Sequence, residues 1–462
     1  MRKAIPLAVI AAVLAALAPP AQARDKFDIR VLAHVPPPGY PALSLVAPDR
    51  TIYVGTFTDA AGNNTAPSKV FAFLPGGQLK KEYTIVGQTP GAVHGVQVAA
   101  IDAKGRLYLL DQHPSRVVRL DPATGKQTTY ATFKDVPPCL PGASGECSAT
   151  TMDNEPEPDY AAWGTDGSLY VTDYLQGLIW RVPPNGGPAK VWLTDPLLDG
   201  SQFGPAGIVL MPDRKTLMVS TSAGPVVGGD PTTGKLYTLP IKPDGSPGAL
   251  KQLWESGPRE APDGFALAAS GNIYLALVGP GANQIVEISP KGQEIARAPS
   301  DPTANSQMEV PFDEPSSVQF DGTRMIVTND AFFSGDQSHM VIFDVFAGEP
   351  GEPVFVPGVT QPSPGVVKSK KHYALSASPR AVRSGELRRF SFRARVADKA
   401  GKRPLARGVV KFAGHTVRTD ARGVAVVRAR LHRGGLHQAR LLLPGNRQTV
   451  AKAYVRVRTG DY

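Results

Sequence analysis

The sequence predicts an all-β chain, a six-bladed β-propeller followed by an immunoglobulin-like β-sandwich. Three observations predict it. A strand-turn-strand unit recurs six times between residues 40 and 330. Its copies lie at the period of a propeller with four strands per blade. The 87 residues from Lys371 to Val457 then alternate apolar and Arg positions, the pattern of a sandwich with one wet face per sheet. The recurring second strands read TIYV at Ile52, RLYLLD at Leu107, SLYVTD at Leu169, TLMVST at Leu217, NIYLAL at Ile273 and RMIVTN at Met325, at spacings of 55, 62, 48, 56 and 52 residues.

Taken in order, residues 1–23 read as a secretory signal. Arg2 and Lys3 precede the apolar run Ile5 to Ala18, and Ala21-Gln22-Ala23 is a small-x-small cleavage pattern. The run is short for a membrane span, and no later segment is long and apolar enough for one. A mature chain starting near Arg24, secreted or associated with the cell envelope, is expected. Residues 27–35, FDIRVLAHV, form an extra outer strand that should pair into blade six and close the ring, which removes a sheet edge. Blades one to six cover about 40–85, 93–133, 157–193, 204–254, 261–298 and 313–357, within a propeller domain of 24–357. Outer hairpins such as VVRLDPATGKQTTYATF and QIVEISPKGQEIARA join apolar strands through Pro, Gly and Asp turns. Residues 358–370 read as a linker, and 371–462 as a basic sandwich domain without cysteine.

Cys139 and Cys147 are the only cysteines. In an exported chain they point to a disulfide that staples one loop, and a metal site would need more Cys or His nearby. The net charge of +10 is uneven. From Val366 onward there are 24 Lys and Arg against 4 Asp and Glu, so the rest carries 26 against 36. An acidic body with a basic tail argues against nucleic-acid binding by the whole chain. The tail suits an acidic cell-wall polymer or a membrane surface, or is simply a solvated Arg-rich face. A monomer is expected.

The starts of the inner strands should face the propeller axis. They carry Tyr40, His94, Asp159, Ala206, Asp263 and Glu314. Three acids around one axis repel each other unless a cation or a proton lies among them. Each residue also has a plainer reading. Asp263 before Gly264 suits a turn, Asp159 sits beside the acidic run Asp153 to Glu157, and Glu314 follows Asp313 in a loop. His94 is either an inner-channel histidine or a general base, with His113 a second choice. Other chemistry is missing. No G-x-S-x-G elbow lies between a strand and a helix, so an α/β-hydrolase is excluded. GGDPTTGK at 228–235 lies in a hairpin context and lacks phosphate-loop spacing, and no Cys/His set has zinc spacing.

FGPAGIVLMPDRKTLMVST, APDGFALAASGNIYLAL and EPSSVQFDGTRMIVTND resemble the three closing blades of the gluconolactonase and regucalcin family of six-bladed propellers. HGVQVAAIDAKGRLYLLDQ is similar to the His-Gly segment of the related paraoxonases. The resemblance covers about residues 40–357. It implies a divalent cation, usually calcium, held on the axis by oxygen ligands and polarising a lactone or ester carbonyl. On that resemblance Asp263 of Pro262-Asp263-Gly264 matches the blade-five aspartate, Asp159 falls at the blade-three position, and Glu314 is a replacement carboxylate. Ala206 stands where the family has a blade-four asparagine, and Tyr40 or Pro41 where it has a blade-one glutamate. Two functions follow. One is a calcium-dependent lactonase or esterase acting on a small lactone, ester or sugar-like molecule, with His94 activating water. The other is a non-catalytic binding propeller tethered to the cell envelope by its basic tail.

Overall fold

A computed structural model describes residues 24–139, 145–200, 203–359, 372–398, 401–443 and 449–458. The expected signal segment and all but the first two residues of the expected linker lie outside these. The chain divides into two compact units between Pro364 and Gly365. No helix among the described residues is long and apolar enough to cross a membrane.

The first unit is built from six sheets, each with four antiparallel strands that follow one another in the chain, save for two departures described below. Sheet I begins with the inner strand Ser44–Val46, sheet II with Val96–Ile101, sheet III with Pro158–Trp163, sheet IV with Pro205–Leu210, sheet V with Pro262–Leu267 and sheet VI with Pro315–Asp321. The second strands are those whose repetition marks the sequence, from Ile52–Gly55 to Arg324–Asn329. Each inner strand touches the next in the order I to VI, and that of sheet VI touches that of sheet I. This is a closed, propeller-like ring.

Apolar side chains on the two faces of each sheet make the ring. One core lies between each pair of neighbouring sheets. Between sheets II and III, Trp180, Leu169 and Val117 are wholly buried; between V and VI, Phe312 packs edge-on against Phe343. Each large side chain removed from water in this way contributes roughly 1.5–3 kcal/mol. Strands buried on both faces need not alternate, which is why the second strands read as continuous apolar runs.

The fourth strand of sheet VI comes from the other end of the unit. Ile29–His34 pairs antiparallel with Val341–Phe346, as the sequence predicts. Arg24 anchors it through Asp28 at 2.8 Å and Asp344 at 2.6 Å. One pairing was not foreseen: Gly187–Pro188, in the outer hairpin of sheet III, lies parallel to Gln127–Thr132 of sheet II.

In the second unit, one sheet holds His372–Ser378, Leu387–Asp398, Gly401–Pro404 and Val424–Arg430. The other holds Ala381–Arg383, Thr449–Arg458, Gly435–Leu442, Val409–Phe412 and His415–Arg418. Residues from both share one core around Phe390, Phe392 and Phe412. Along Val424–Arg430 the side chains of Ala425, Val427 and Ala429 are buried, while Val426, Arg428 and Arg430 are exposed. The Arg-rich alternation is thus the wet face of a two-sheet unit.

Candidate functional site

The inner strands of sheets III to VI begin in the same way. Each starts on a proline, at Pro158, Pro205, Pro262 and Pro315, paired with the last residue of the second strand. The register then slips before regular pairing resumes, at Ala161, Ile208, Phe265 and Ser317. Proline has no N–H to give a ladder and sits well at a strand start, and a bulge re-aims the residues that follow. Those residues are Asp159, Ala206, Asp263 and Ser316.

Asp159 is 8 % exposed and accepts a hydrogen bond from Gln97 Nε2 at 2.6 Å. Asp263 is deeply set yet partly accessible, and lies beside the Tyr160 hydroxyl and the Gly264 N–H. Tyr160 spans the ring: its hydroxyl donates to Ser316 O at 2.8 Å, from sheet III to sheet VI. A Cβ on Gly264 would come within 2.4 Å of that hydroxyl. Gly264 is therefore required by the close approach of Tyr160, not by a turn, and Asp263 lies within a strand.

Asp330 follows the second strand of sheet VI and is 6 % exposed. Its Oδ1 is buried without a hydrogen-bond partner. Glu314 is 9 % exposed and accepts from Phe333 N at 3.0 Å. Behind Asp159, Glu157 accepts from the Gln112 amide and from Tyr174 at 2.9 Å.

Burial raises these acids first, and mutual repulsion raises them further. Asp263 is pushed up to about 8 by burial, with Asp330 adding to the rise and Tyr160 opposing it. Asp159 lies well above the carboxylate range through burial and the neighbouring Asp263 charge. Asp330 does so through burial and the charges of Glu314, Asp159 and Asp313. Burial also lifts Glu157 and Glu314 to about 7. Among the described residues no Lys or Arg forms an ion pair with any of the five. They form a proton-holding set at the axis, and Asp263, Glu157 and Glu314 fall near neutrality, the property wanted of a general acid or base.

The predicted residues fare differently. Asp159 and Asp263 are electrostatic neighbours, and Glu314 joins them through Asp330. Asp159 and Asp263 lie in strands and not in a turn or loop, while Glu314 lies in a loop, as read, but is buried. They are not, however, the calcium site expected: among the described residues no three His, Cys, Asp or Glu side chains gather so as to hold a metal ion. Asp159 is committed to Gln97 and Glu314 to a backbone N–H, while sheet IV offers Ala206 and sheet I Tyr40. Calcium takes six to eight oxygens, so this donor set does not fit it.

His94 is not placed as a base. It is 3 % exposed, with Nδ1 3.1 Å from Ala66 O and Nε2 2.7 Å from Thr89 O, so both ring nitrogens hold loop backbone. Sheet II reaches the acids through Gln97 and Gln112 instead. His113 lies in a loop, with Nε2 3.8 Å from Glu155. The disulfide Cys139–Cys147 is formed, with Cα atoms 4.9 Å apart. The sequence reading missed Asp330, Glu157, Tyr160, Gln97 and Gln112. Aligning the repeats one residue further would have found two of them. The ends LLDQ, VTDY and VTND of the second strands put Gln112, Tyr174 and Asp330 at one repeat position.

No protein-family model matches the chain, and no curated protein does. Among solved structures, it is similar to a calcium-binding protein, regucalcin, from Agrobacterium tumefaciens, at 17 % identity and a TM-score of 0.47, covering 72 % of this chain and 97 % of that one. It is similar to virginiamycin B lyase from Staphylococcus aureus at 14 % identity and a TM-score of 0.43, covering 70 % and 99 %. It is also similar to the PQQ-bound aldose sugar dehydrogenase from Streptomyces coelicolor at 14 % identity and a TM-score of 0.46, covering 71 % and 99 %. Likeness this distant carries nothing about chemistry, and the ring rests on its own strand pairing.

Proposed function

We propose that the ring is a six-bladed propeller and that its axial carboxyls form a hydrolase site of the lactonase or esterase type. The observation that carries this reading is the trio Asp159, Asp263 and Asp330. They come from three sheets, repel one another, and leave one partly accessible carboxyl, Asp263, poised near neutrality.

In its ionised form Asp263 takes a proton from water as the water oxygen bonds to the carbonyl carbon. The π pair moves to the carbonyl oxygen, and that oxyanion accepts a hydrogen bond from a carboxyl kept protonated, Asp159 or Asp330. Collapse of the tetrahedral species breaks the bond to the alkoxy oxygen. Asp263 returns its proton there, and a lactone leaves as the hydroxy acid.

The test is hydrolysis of a panel of aldonolactones and aryl esters by residues 24–462, with and without EDTA. Turnover unaffected by EDTA and lost in Asp263→Asn is expected. Turnover lost with EDTA and restored by calcium would put a cation in place of the proton donor. Absence of turnover with every divalent ion would favour the second reading, a binding propeller, which Ala206 and Tyr40 at axial positions support.

A further inference from the structure

We propose that the opposite end of the ring holds a second binding site, one for a small amphipathic carboxylate. It does not depend on the hydrolase reading. The inner strands end around a cavity of about 970 Å³, lined by Val46, Ile101, Leu210, Phe265, Leu267 and Phe320. That is the size of sites that take drug-sized molecules. Tyr160, which reaches from sheet III to Ser316 of sheet VI, is not among the residues lining this cavity.

The cavity has a built wall. The chain that leaves sheet VI runs past it from Pro350 to Val359. Ala268 bridges Gly351, and Glu352 N donates to Leu267 O at 2.7 Å. Val356 packs into the core between sheets I and II, and the Arg214 guanidinium lies 4.7 Å from the Phe355 ring centre. The segment is fixed by packing on several sheets.

Its polar groups indicate what fits. Tyr53 is 7 % exposed and lines the cavity, and its hydroxyl has no hydrogen-bond partner among the described residues. That hydroxyl is open to the cavity, and a ligand oxygen there would take its hydrogen bond. Most of the lining carboxylates are already engaged. Asp321 is paired with Arg50 and Arg324, Asp102 with Arg106, Asp49 with Thr51 and Asp121 with backbone N–H groups. Burial raises the pKa of Glu352, and the nearby Arg214 charge opposes the rise. Lys80, Lys81 and Lys104 are exposed lining residues with no carboxylate partner among the described residues. Lys80 meets only the Thr51 hydroxyl, and Lys81 a carbonyl and the Tyr83 ring. An apolar body on the strand ends and a carboxylate towards these lysines complement the cavity.

The experiment is calorimetric titration of the full chain with decanoate, with decyltrimethylammonium as the cationic counterpart. Saturable binding of decanoate at least tenfold tighter than the cation is expected. Tyr53→Phe should weaken it about two- to tenfold, as for one hydrogen bond. Lys80→Gln with Lys104→Gln should weaken it by tenfold or more, and Val209→Trp should abolish it by filling the cavity with the melting temperature kept. Equal affinity for the cation, no saturable binding, or binding indifferent to all of these substitutions overturns the proposal. Tyr53→Phe removes one atom, so its result does not depend on refolding.

Discussion

The two ends of the ring are made by the same strands and have opposite chemistry. Where the inner strands begin, Glu157, Asp159, Asp263 and Glu314 crowd together with Gln97, Tyr160 and Tyr174. Where they end, Ile101, Leu210, Leu267 and Phe320 line an apolar cavity. The difference teaches where a ring can tolerate cost. Stability comes from the six cores between sheets, so the strand starts are free to hold acids that burial and repulsion disfavour. The carboxyl end is the strained one and the apolar end the adaptable one.

The most direct way to break this comparison is Asp263→Asn. Loss of the proposed base should lower kcat/KM by about 10²–10⁴-fold, while decanoate affinity at the other end stays within twofold. A parallel fall in both would show that the ends are not independent. Gly264→Val probes the boundary between them. Its side chain would meet the Tyr160 hydroxyl, and urea unfolding should show a loss of about 1–3 kcal/mol. An unchanged midpoint would mean that Tyr160 does not fill the axis.

Titration sharpens the contrast. A carboxyl whose pKa is raised on folding contributes stability that is present below its unfolded value and lost as pH rises through the folded one. For Asp263 that window runs from the ordinary 3.8 to about 8, and Glu157 and Glu314 act in the same direction up to about 7. Stability should therefore fall as pH rises from about 4 to about 8, by up to about 1.4 kcal/mol per pH unit for each group in its window. Asp263→Asn should flatten the slope, and a stability that rises over this range would contradict the raised values. The smallest effect belongs to the apolar end. Tyr53→Phe removes an unpaired hydroxyl and should leave unfolding within about 0.5 kcal/mol of the parent.

Much of the ring was legible because its signal is periodic. The six second strands, the outer strand at 27–35 and the shift to Arg alternation after Lys371 are local patterns, and each corresponds to an element or a face. The site was less legible because it depends on register. Asp159, Asp263 and Glu314 stand at strand starts, where the proline-marked repeat points to them. His94 occupies the matching place in sheet II, but its ring turns to the carbonyls of Ala66 and Thr89. Tyr160 and Asp330 become neighbours of Asp263 only through a bulge and a crossing of the axis, which no sequence window contains. The calcium site rested on resemblance at Asp159, Asp263 and Glu314, which among the described residues do not gather so as to hold a metal ion.

The strand Ile29–His34 has a consequence for how the chain is made. Its partner Val341–Phe346 lies about three hundred residues downstream, and Arg24 clasps Asp344 across 320 positions. The strand is made before the other strands of the ring and can pair only once Val341–Phe346 has been made. Until then sheet VI has a bare edge and the ring is an open arc. Contacts this distant in sequence slow folding and make the last pairing the step that locks the other five sheets. A break behind residue 35 would leave every sheet but one complete and yet leave the circle without its clasp.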